Sequence, residues 1–298
     1  MEKQTGNAGR PDFNAWFVLQ GTLAAMHHLR YYGEGDNEIL VLYELLARAA
    51  SRTRVLPYIM YRLPYRWQYR VSEWVTHPGR LRHFYLRKKA IETYARALLD
   101  QGQVTQVIIL GAGLDVLALR LACEYPDLKF IEIDRKESHD FKRSALSSLP
   151  NNIEFIEGDL RHPLPTILAD ARVHDAGAKT LWIAEGLFMF MPEASVGAML
   201  QQIRQLCATG SQVIFTTVPS AYQGKWLAQW IQIYVLWKED CPYLWSVSLE
   251  KVPAFIEKLH YRLMAQISYE QLHKKCTLKK NKQNKRIGED IHIVEVVQ

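Results

Sequence analysis

Residues 104–134, VTQVIILGAGLDVLALRLACEYPDLKFIEID, decide the fold. Val107, Ile108, Ile109 and Leu110 are an unbroken apolar run, the pattern of a parallel strand buried on both faces. Gly111 and Gly113 follow it and supply a sharp turn and a bare backbone against which a ligand can lie close. A helical stretch leads to a second apolar run that ends on Asp134, about twenty residues on, where a carboxylate can accept from both hydroxyls of a ribose. Strand, glycine turn, helix, strand and acid together predict an adenosine-bearing cofactor.

The residues after the second glycine narrow the choice. Nicotinamide and flavin sites carry a third glycine for close packing of helix on strand, and leave the helix N-terminus free for a diphosphate. Here Leu114-Asp115-Val116 follows, with no third glycine. A carboxylate in the first turn of the helix suits the helix dipole and repels a diphosphate, but it welcomes a ligand bearing a sulfonium and an ammonium group. The pattern favours S-adenosylmethionine over NAD. No Gly-Lys-Ser or Gly-Lys-Thr follows either, so the turn is not a Walker loop.

Outward from this segment the chain divides in rhythm. Residues 1–13 read as a disordered N-terminus and residues 14–100 as a helical lid region, with apolar spacings of three and four over residues 39–50 and 90–99 and prolines at 57, 64 and 78. The stretch 58–87 reads as helices that pack tyrosines and tryptophans inward, with arginines outside or aimed at the cofactor. From residue 101 to 298 strands and helices alternate as in a parallel sheet covered on both faces, with strands expected at 106–110, 129–133, 153–157, 180–184 and 212–217. A helix over 192–208 has proline at its start and Gly210 past its end. Residues 222–260 read as a helical insertion whose aromatic part, 222–245, helps to line a pocket. Two strands, 261–268 and 291–297, close the chain.

The chain has 298 residues, 48% of them apolar, enough for one large α/β domain with a lid. No run approaches the roughly eighteen apolar residues of a membrane span, and the polar start carries no apolar signal core. The four cysteines, Cys123, Cys207, Cys241 and Cys276, are widely spaced without a Cys-x-x-Cys pair, so no metal site or disulfide framework is expected and a reducing cytoplasm suits them. The net charge of +6 is concentrated in KKCTLKKNKQNKR, residues 274–286, which has no aromatic residues to stack on bases and reads as a solvated loop.

In an open parallel sheet a ligand lies beyond the carboxyl ends of the strands. Those ends are Gly111 to Gly113, Asp134, Asp159-Leu160, Glu185-Gly186 and Thr217-Val218. Three of the five carry an acid, which describes a pocket for a hydroxyl-rich, cationic ligand.

The segments QVIILGAGLD (106–115), Arg120-Leu121, IEID (131–134), EGDLR (157–161) and WIAEGLFMFM (182–191) resemble the leucine carboxyl methyltransferase-like group of class I S-adenosylmethionine-dependent methyltransferases. The resemblance covers roughly residues 87–217. It implies a Rossmann-like, mostly parallel seven-stranded sheet with helices on both faces and a helical N-terminal lid. By position it puts Gly111, Ala112 and Gly113 along the methionyl part, Asp134 on the ribose, and Asp159 with Leu160 on the adenine. Arg87, in LRKKAIETYARALL, matches the arginine that pairs with the cofactor carboxylate, and Glu185 falls at the methionyl end facing the substrate mouth, to hold the cofactor ammonium or position the acceptor. Val116 and Leu117 replace the usual Thr-Arg after the glycine turn, and Phe190 stands where tyrosine is common.

Transfer from a sulfonium is an in-line displacement that needs alignment and exclusion of water. A carboxylate acceptor needs no base, whereas a phenol or alcohol does, and His27, His28 and His83 read as structural rather than basic. The leading expectation is O-methylation of a carboxyl or hydroxyl oxygen of a small molecule. A protein carboxyl terminus or a modified RNA nucleotide is the second, and a catalytically weak S-adenosylmethionine-binding partner protein the third.

Overall fold

The computed structural model describes residues 12–31, 37–53, 55–75, 79–146, 148–169, 174–219, 243–274 and 288–297. The apolar runs become β1 (Gln106–Leu110), β2 (Lys129–Asp134), β3 (Ile153–Glu157), β4 (Thr180–Ala184) and β5 (Gln212–Thr217), paired in parallel. β6 (Tyr261–Ile267) and β7 (Asp290–Val296) complete a seven-stranded sheet in the order β3-β2-β1-β4-β5-β7-β6, with β7 antiparallel to both β5 and β6. β1 and β4 are buried along their whole length, which is why their sequences are continuous in apolar residues and not alternating. From β1 the chain crosses to β2 on one side, while β4 lies on the other, so a crevice opens where Leu110 and Ala184 end.

Helices cover both faces. α6 (Leu117–Glu124), α7 (Lys136–Ala145), α8 (Leu164–Leu168) and α9 (Glu193–Gln205) follow β1 to β4, and α10 (Val252–Glu257) and α11 (Tyr269–Lys274) flank β6. One face packs Ile108, Ile131, Trp182 and Phe215 against Leu164, Leu200 and Ile203. The other packs Val107, Ile109 and Ile183 against Ala118, Leu121, Ile91, Ala95 and Leu99. Each fully buried aliphatic or aromatic side chain contributes about 1.5–3 kcal/mol, so these two layers carry the fold.

A third core belongs to the N-terminal helices α1 (Phe13–Tyr31), α2 (Asn37–Ala50), α3 (Val55–Arg62), α4 (Tyr65–Val75) and α5 (Arg80–Leu99). Leu19, Leu23, Met26, Tyr43, Leu46 and Phe84 pack there on Leu114, Val116, Leu119 and Phe141, so the helices roof the carboxyl ends of β1 and β2. α1 approaches α5 closely because Gly21 has no side chain: a Cβ there would meet Leu81 Cδ2 at 2.9 Å and Phe84 Cδ2 at 3.0 Å.

Several expectations are corrected. Phe13, expected in the disordered N-terminus, begins α1, its first turn held by Asp12 Oδ1 accepting from the N–H groups of Asn14 and Ala15; residues 1–11 lie outside the described residues. Tyr85 packs inward and Tyr61, Tyr65 and Tyr69 are partly buried against the roof core, but Tyr58, Trp67 and Trp74 are half exposed or more; the buried position of α4 is Gln68, bonded to Gln20 and to the carbonyls of Met60 and Leu63. α6 begins at Leu117, so Asp115 precedes it, accepting the Leu117 N–H at 2.9 Å instead of sitting within the first turn. Of the insertion expected at 222–260, residues 222–242 lie outside the described residues, and residues 243–248 form neither helix nor strand. Trp245 and Val247 are buried while their neighbours Leu244 and Ser246 are exposed, a period of two that a helix cannot satisfy; among the described residues of this stretch the helix is α10. The basic segment from Lys275 to Arg286 also lies outside the described residues.

Candidate functional site

The glycine turn is shaped by its backbone. Gly111 has φ +64° and Gly113 φ +52°, the left-handed region, and a Cβ would meet Leu187 Cδ1 at 3.1 Å in the first case and Ala15 Cβ at 3.3 Å in the second. The Gly113 N–H donates to Asp134 Oδ2 at 2.5 Å, and the Arg135 N–H donates to Asp134 Oδ1 at 2.7 Å. Asp134 thus ties the turn after β1 to the end of β2. A carboxylate has about four lone-pair positions, so these two bonds leave acceptor capacity for a pair of hydroxyls.

Beyond the turn lies a cavity of about 1040 Å³. All eight residues expected to hold the cofactor, Arg87, Gly111, Ala112, Gly113, Asp134, Asp159, Leu160 and Glu185, line it together. Thr217 does not: its hydroxyl is spent on His292 Nε2 at 2.7 Å inside the core. Asp159 forms a chelate with Arg161, whose Nε lies 3.0 and 2.9 Å from its two oxygens, and this bonding holds its carboxyl at about 2.

Under the roof is a cluster of charges from four distant segments. Arg87 Nε and Nη2 donate to Glu185 Oε1 at 2.9 and 2.6 Å, and Nη1 donates to Glu289. Lys88 Nζ donates to the same Glu185 oxygen at 2.9 Å and to Asp115, which also accepts from the Tyr43 hydroxyl at 3.2 Å. Burial works against the charge on Arg87, but Glu289 and Glu185 outweigh it and raise its pKa. Lys88 is raised in the same way by Asp115 and Glu185. Burial pushes the Asp115 carboxyl up, the Lys88 ammonium pulls it down further, and it settles at about 2. The Tyr43 phenol is held neutral, pushed up by burial and then by Asp115.

Arg87 and Glu185 were each expected at the methionyl end; the structure brings them together and pairs them with one another. Lys88 and Glu289 were not expected. A signal for Glu289 existed: an antiparallel last strand starts at the end of the sheet where the parallel strands finish, so an acid just before β7 falls at the site, next to Thr217 through the Thr217–Asp290 pairing. None of His27, His28 and His83 lines the cavity. His27 stacks on Tyr65 and bonds Glu44 at 2.9 Å, His28 stacks on Tyr69, and His83 Nε2 accepts the Glu289 N–H at 2.9 Å.

The rest of the cavity is apolar and aromatic, with Trp16, Phe17, Phe84, Leu187, Phe190 and Tyr243 on its wall. Arg80 joins them, its guanidinium 5.6 Å from the Phe17 ring centre and 5.9 Å from that of Phe84. Arg87 and Lys88 are matched by carboxylates, Arg135 by Asp12 and Arg161 by Asp159. Among the described residues no carboxylate lies within ion-pair distance of Arg80; nearby Glu73 is bonded to the N–H groups of Gly79 and Leu81.

A family model described as leucine carboxyl methyltransferase matches residues 42–204, more than half of the chain. The chain belongs to the leucine carboxyl methyltransferase family. An inferred S-adenosyl-L-methionine-dependent methyltransferase of Mycolicibacterium gilvum is 37% identical over 122 residues, 39% of this chain and 39% of that protein. Another, of Mycobacterium marinum, is 38% identical over 125 residues, 40% of this chain and 39% of that protein. The match therefore spans about two fifths of the length of these relatives. The crystal structure of an inferred methyltransferase from Thermobifida fusca superposes with a TM-score of 0.61 over 97% of this chain and 96% of that one, at 15% identity. A duf574 family protein from Streptomyces avermitilis gives 0.58 over 78% and 90%, at 12% identity. At such identities the likeness is one of fold, and it bears out the class I methyltransferase fold that the sequence resemblance implies.

Proposed function

We propose that this member of the family is an S-adenosylmethionine-dependent O-methyltransferase acting on a small molecule, with a carboxyl oxygen as the favoured acceptor. The observation that carries the reading is the single cavity running from the glycine turn, Asp134 and the Arg87–Glu185 cluster into an aromatic chamber under α1 and α4. Its volume of about 1040 Å³ is at the upper end of the roughly 300–1,000 Å³ usual for one ligand, which leaves room for a cofactor and a second molecule.

The residues present fit the cofactor. Asp134 keeps free lone pairs for the ribose, and the bare Gly111–Ala112–Gly113 backbone takes the methionyl part. Asp159 and Leu160 flank the adenine. Arg87 has five N–H groups, of which three are used, so two remain for the methionyl carboxylate while Glu185 faces its ammonium. The bound cofactor supplies the methyl group on its sulfonium. The chain aligns the acceptor oxygen with that group and excludes water through the α1, α4 and α5 roof.

The carboxyl preference has two supports. No histidine among the described residues lines the cavity, so a base for an alcohol is wanting there, whereas a carboxylate is already ionised. Arg80, over the Phe17 and Phe84 rings and with no carboxylate at ion-pair distance among the described residues, suits an anionic acceptor. We infer a cytoplasmic protein, a reading supported by the unpaired thiols of Cys123 and Cys207.

The test uses cofactor labelled in the methyl group with paired aromatic and aliphatic acids and their alcohols. Label released as methanol by mild alkali marks a methyl ester and supports the reading. An alkali-stable product marks a hydroxyl acceptor. Tight cofactor binding with no transfer to any acceptor points to a binding partner in place of an enzyme.

A further inference from the structure

Arg87 is held by two carboxylates, and the cofactor reading uses only one of them. Glu185 alone matches the guanidinium, and Lys88 has Asp115 as its own partner. Glu289 is therefore a third carboxylate beside two cations. Its place is fixed from several directions: its N–H donates to His83 Nε2, Asp290 Oδ1 accepts the Tyr269 N–H at 2.8 Å, and Gly288 lies so close to the Tyr269 ring that only glycine fits, with His83 Nε2 at 2.7 Å from a Cβ placed there. Glu289 is 8% exposed and lines the cavity, and its Oε2 is buried without a hydrogen-bond partner.

A surplus buried charge is costly unless a ligand balances it. S-adenosylmethionine carries a sulfonium, an ammonium and a carboxylate, so it brings one net positive charge. The product, S-adenosylhomocysteine, has lost the sulfonium charge and brings none. We propose that Glu289 is a specificity-determining residue of the cofactor site, whose surplus carboxylate makes the site prefer the charged cofactor to its neutral product and so speeds product exchange. For a sulfonium that would be held about 10 Å from such a unit charge, an effective dielectric of about 20 corresponds to roughly a tenfold preference.

This inference rests on the proposed cofactor, and calorimetry with the full chain separates the two. Kd values are measured for S-adenosylmethionine and S-adenosylhomocysteine in the wild type, Glu289→Gln and Glu289→Asp. The expected result is that Glu289→Gln loses about tenfold in the ratio Kd(product)/Kd(cofactor) while Glu289→Asp keeps most of it. A merely structural role would weaken both ligands together, and a ratio in Glu289→Gln within about twofold of wild type overturns the proposal. If neither ligand binds the wild type, the cofactor reading falls and this inference with it. Should Glu289→Gln fail to fold, Glu289→Leu removes the same charge, leaves Arg87 its Glu185 partner and is read by the same ratio.

Discussion

Asp134 and Arg80 separate the two halves of the cavity residue by residue. Asp134 has two duties, as it accepts the Gly113 N–H and is the acceptor offered to a ribose. Asp134→Ala is expected to weaken S-adenosylmethionine binding at least tenfold, since charge-assisted hydrogen bonds contribute about 1.5–3 kcal/mol each. Unchanged affinity by calorimetry would remove the basis of the ribose assignment. Arg80→Gln is expected to raise the KM for a carboxylate acceptor about tenfold and leave cofactor Kd within about twofold, because Arg80 lies beyond Phe84 from the Arg87 cluster. A loss of cofactor affinity with no change in acceptor KM would move Arg80 to the other ligand. Glu185→Gln keeps the shape but leaves Arg87 and Lys88 to share fewer carboxylates, so cofactor affinity should fall more than turnover at saturation. Normal affinity with turnover reduced about a hundredfold would instead make Glu185 a base acting on the acceptor.

Among elements, α5 joins roof to sheet. Arg80, Phe84, Arg87, Ile91, Ala95 and Leu99 recur at helical spacing along one stripe; its first half faces the cavity and its second half packs on the sheet. The same helix meets α1 at Gly21, and Gly21→Val should overpack that crossing, costing about 1–3 kcal/mol in denaturant titration. Strands were legible from sequence wherever both faces are buried, as at β1 and β4, because an unbroken apolar run has few other uses. The glycine turn and the acids at the strand ends were legible for the same local reason. The N-terminal half of α5 was legible as helix with arginines outside or aimed at the cofactor, but its join to residues 90–99 as one helix was not, since there the stripe turns charged and aromatic toward a cavity and the apolar rhythm is lost. Nor was the pairing of Arg87 with Glu289, which spans 202 positions and depends on the antiparallel return of β7.

For the whole molecule, buried imidazoles set the response to acid. Burial pushes His139 down to about 4, helped by Lys142, and pushes His273 to about 4 and His292 to about 3; His83 lies well below its usual value for the same first reason, followed by Arg87. An unfolded histidine titrates near 6.5. Between about pH 6.5 and 4 the unfolded chain therefore binds more protons than the folded one, so stability is fully present above that window and is lost as pH falls through it. Glu132 and Glu73, raised by burial, act in the opposite sense near its lower end. His139 is the cleanest probe. It is fully buried against the Phe155 ring at 4.8 Å, and neither of its ring nitrogens has a hydrogen-bond partner, so His139→Phe removes the titration and leaves no polar group stranded. A histidine moved from about 6.5 to 4 accounts for about 2 kcal/mol of stability lost between about pH 7.5 and pH 5. Urea unfolding at the two pH values should show the variant losing that much less than the wild type, and equal losses in both proteins would mean that the imidazole takes up its proton in the folded state.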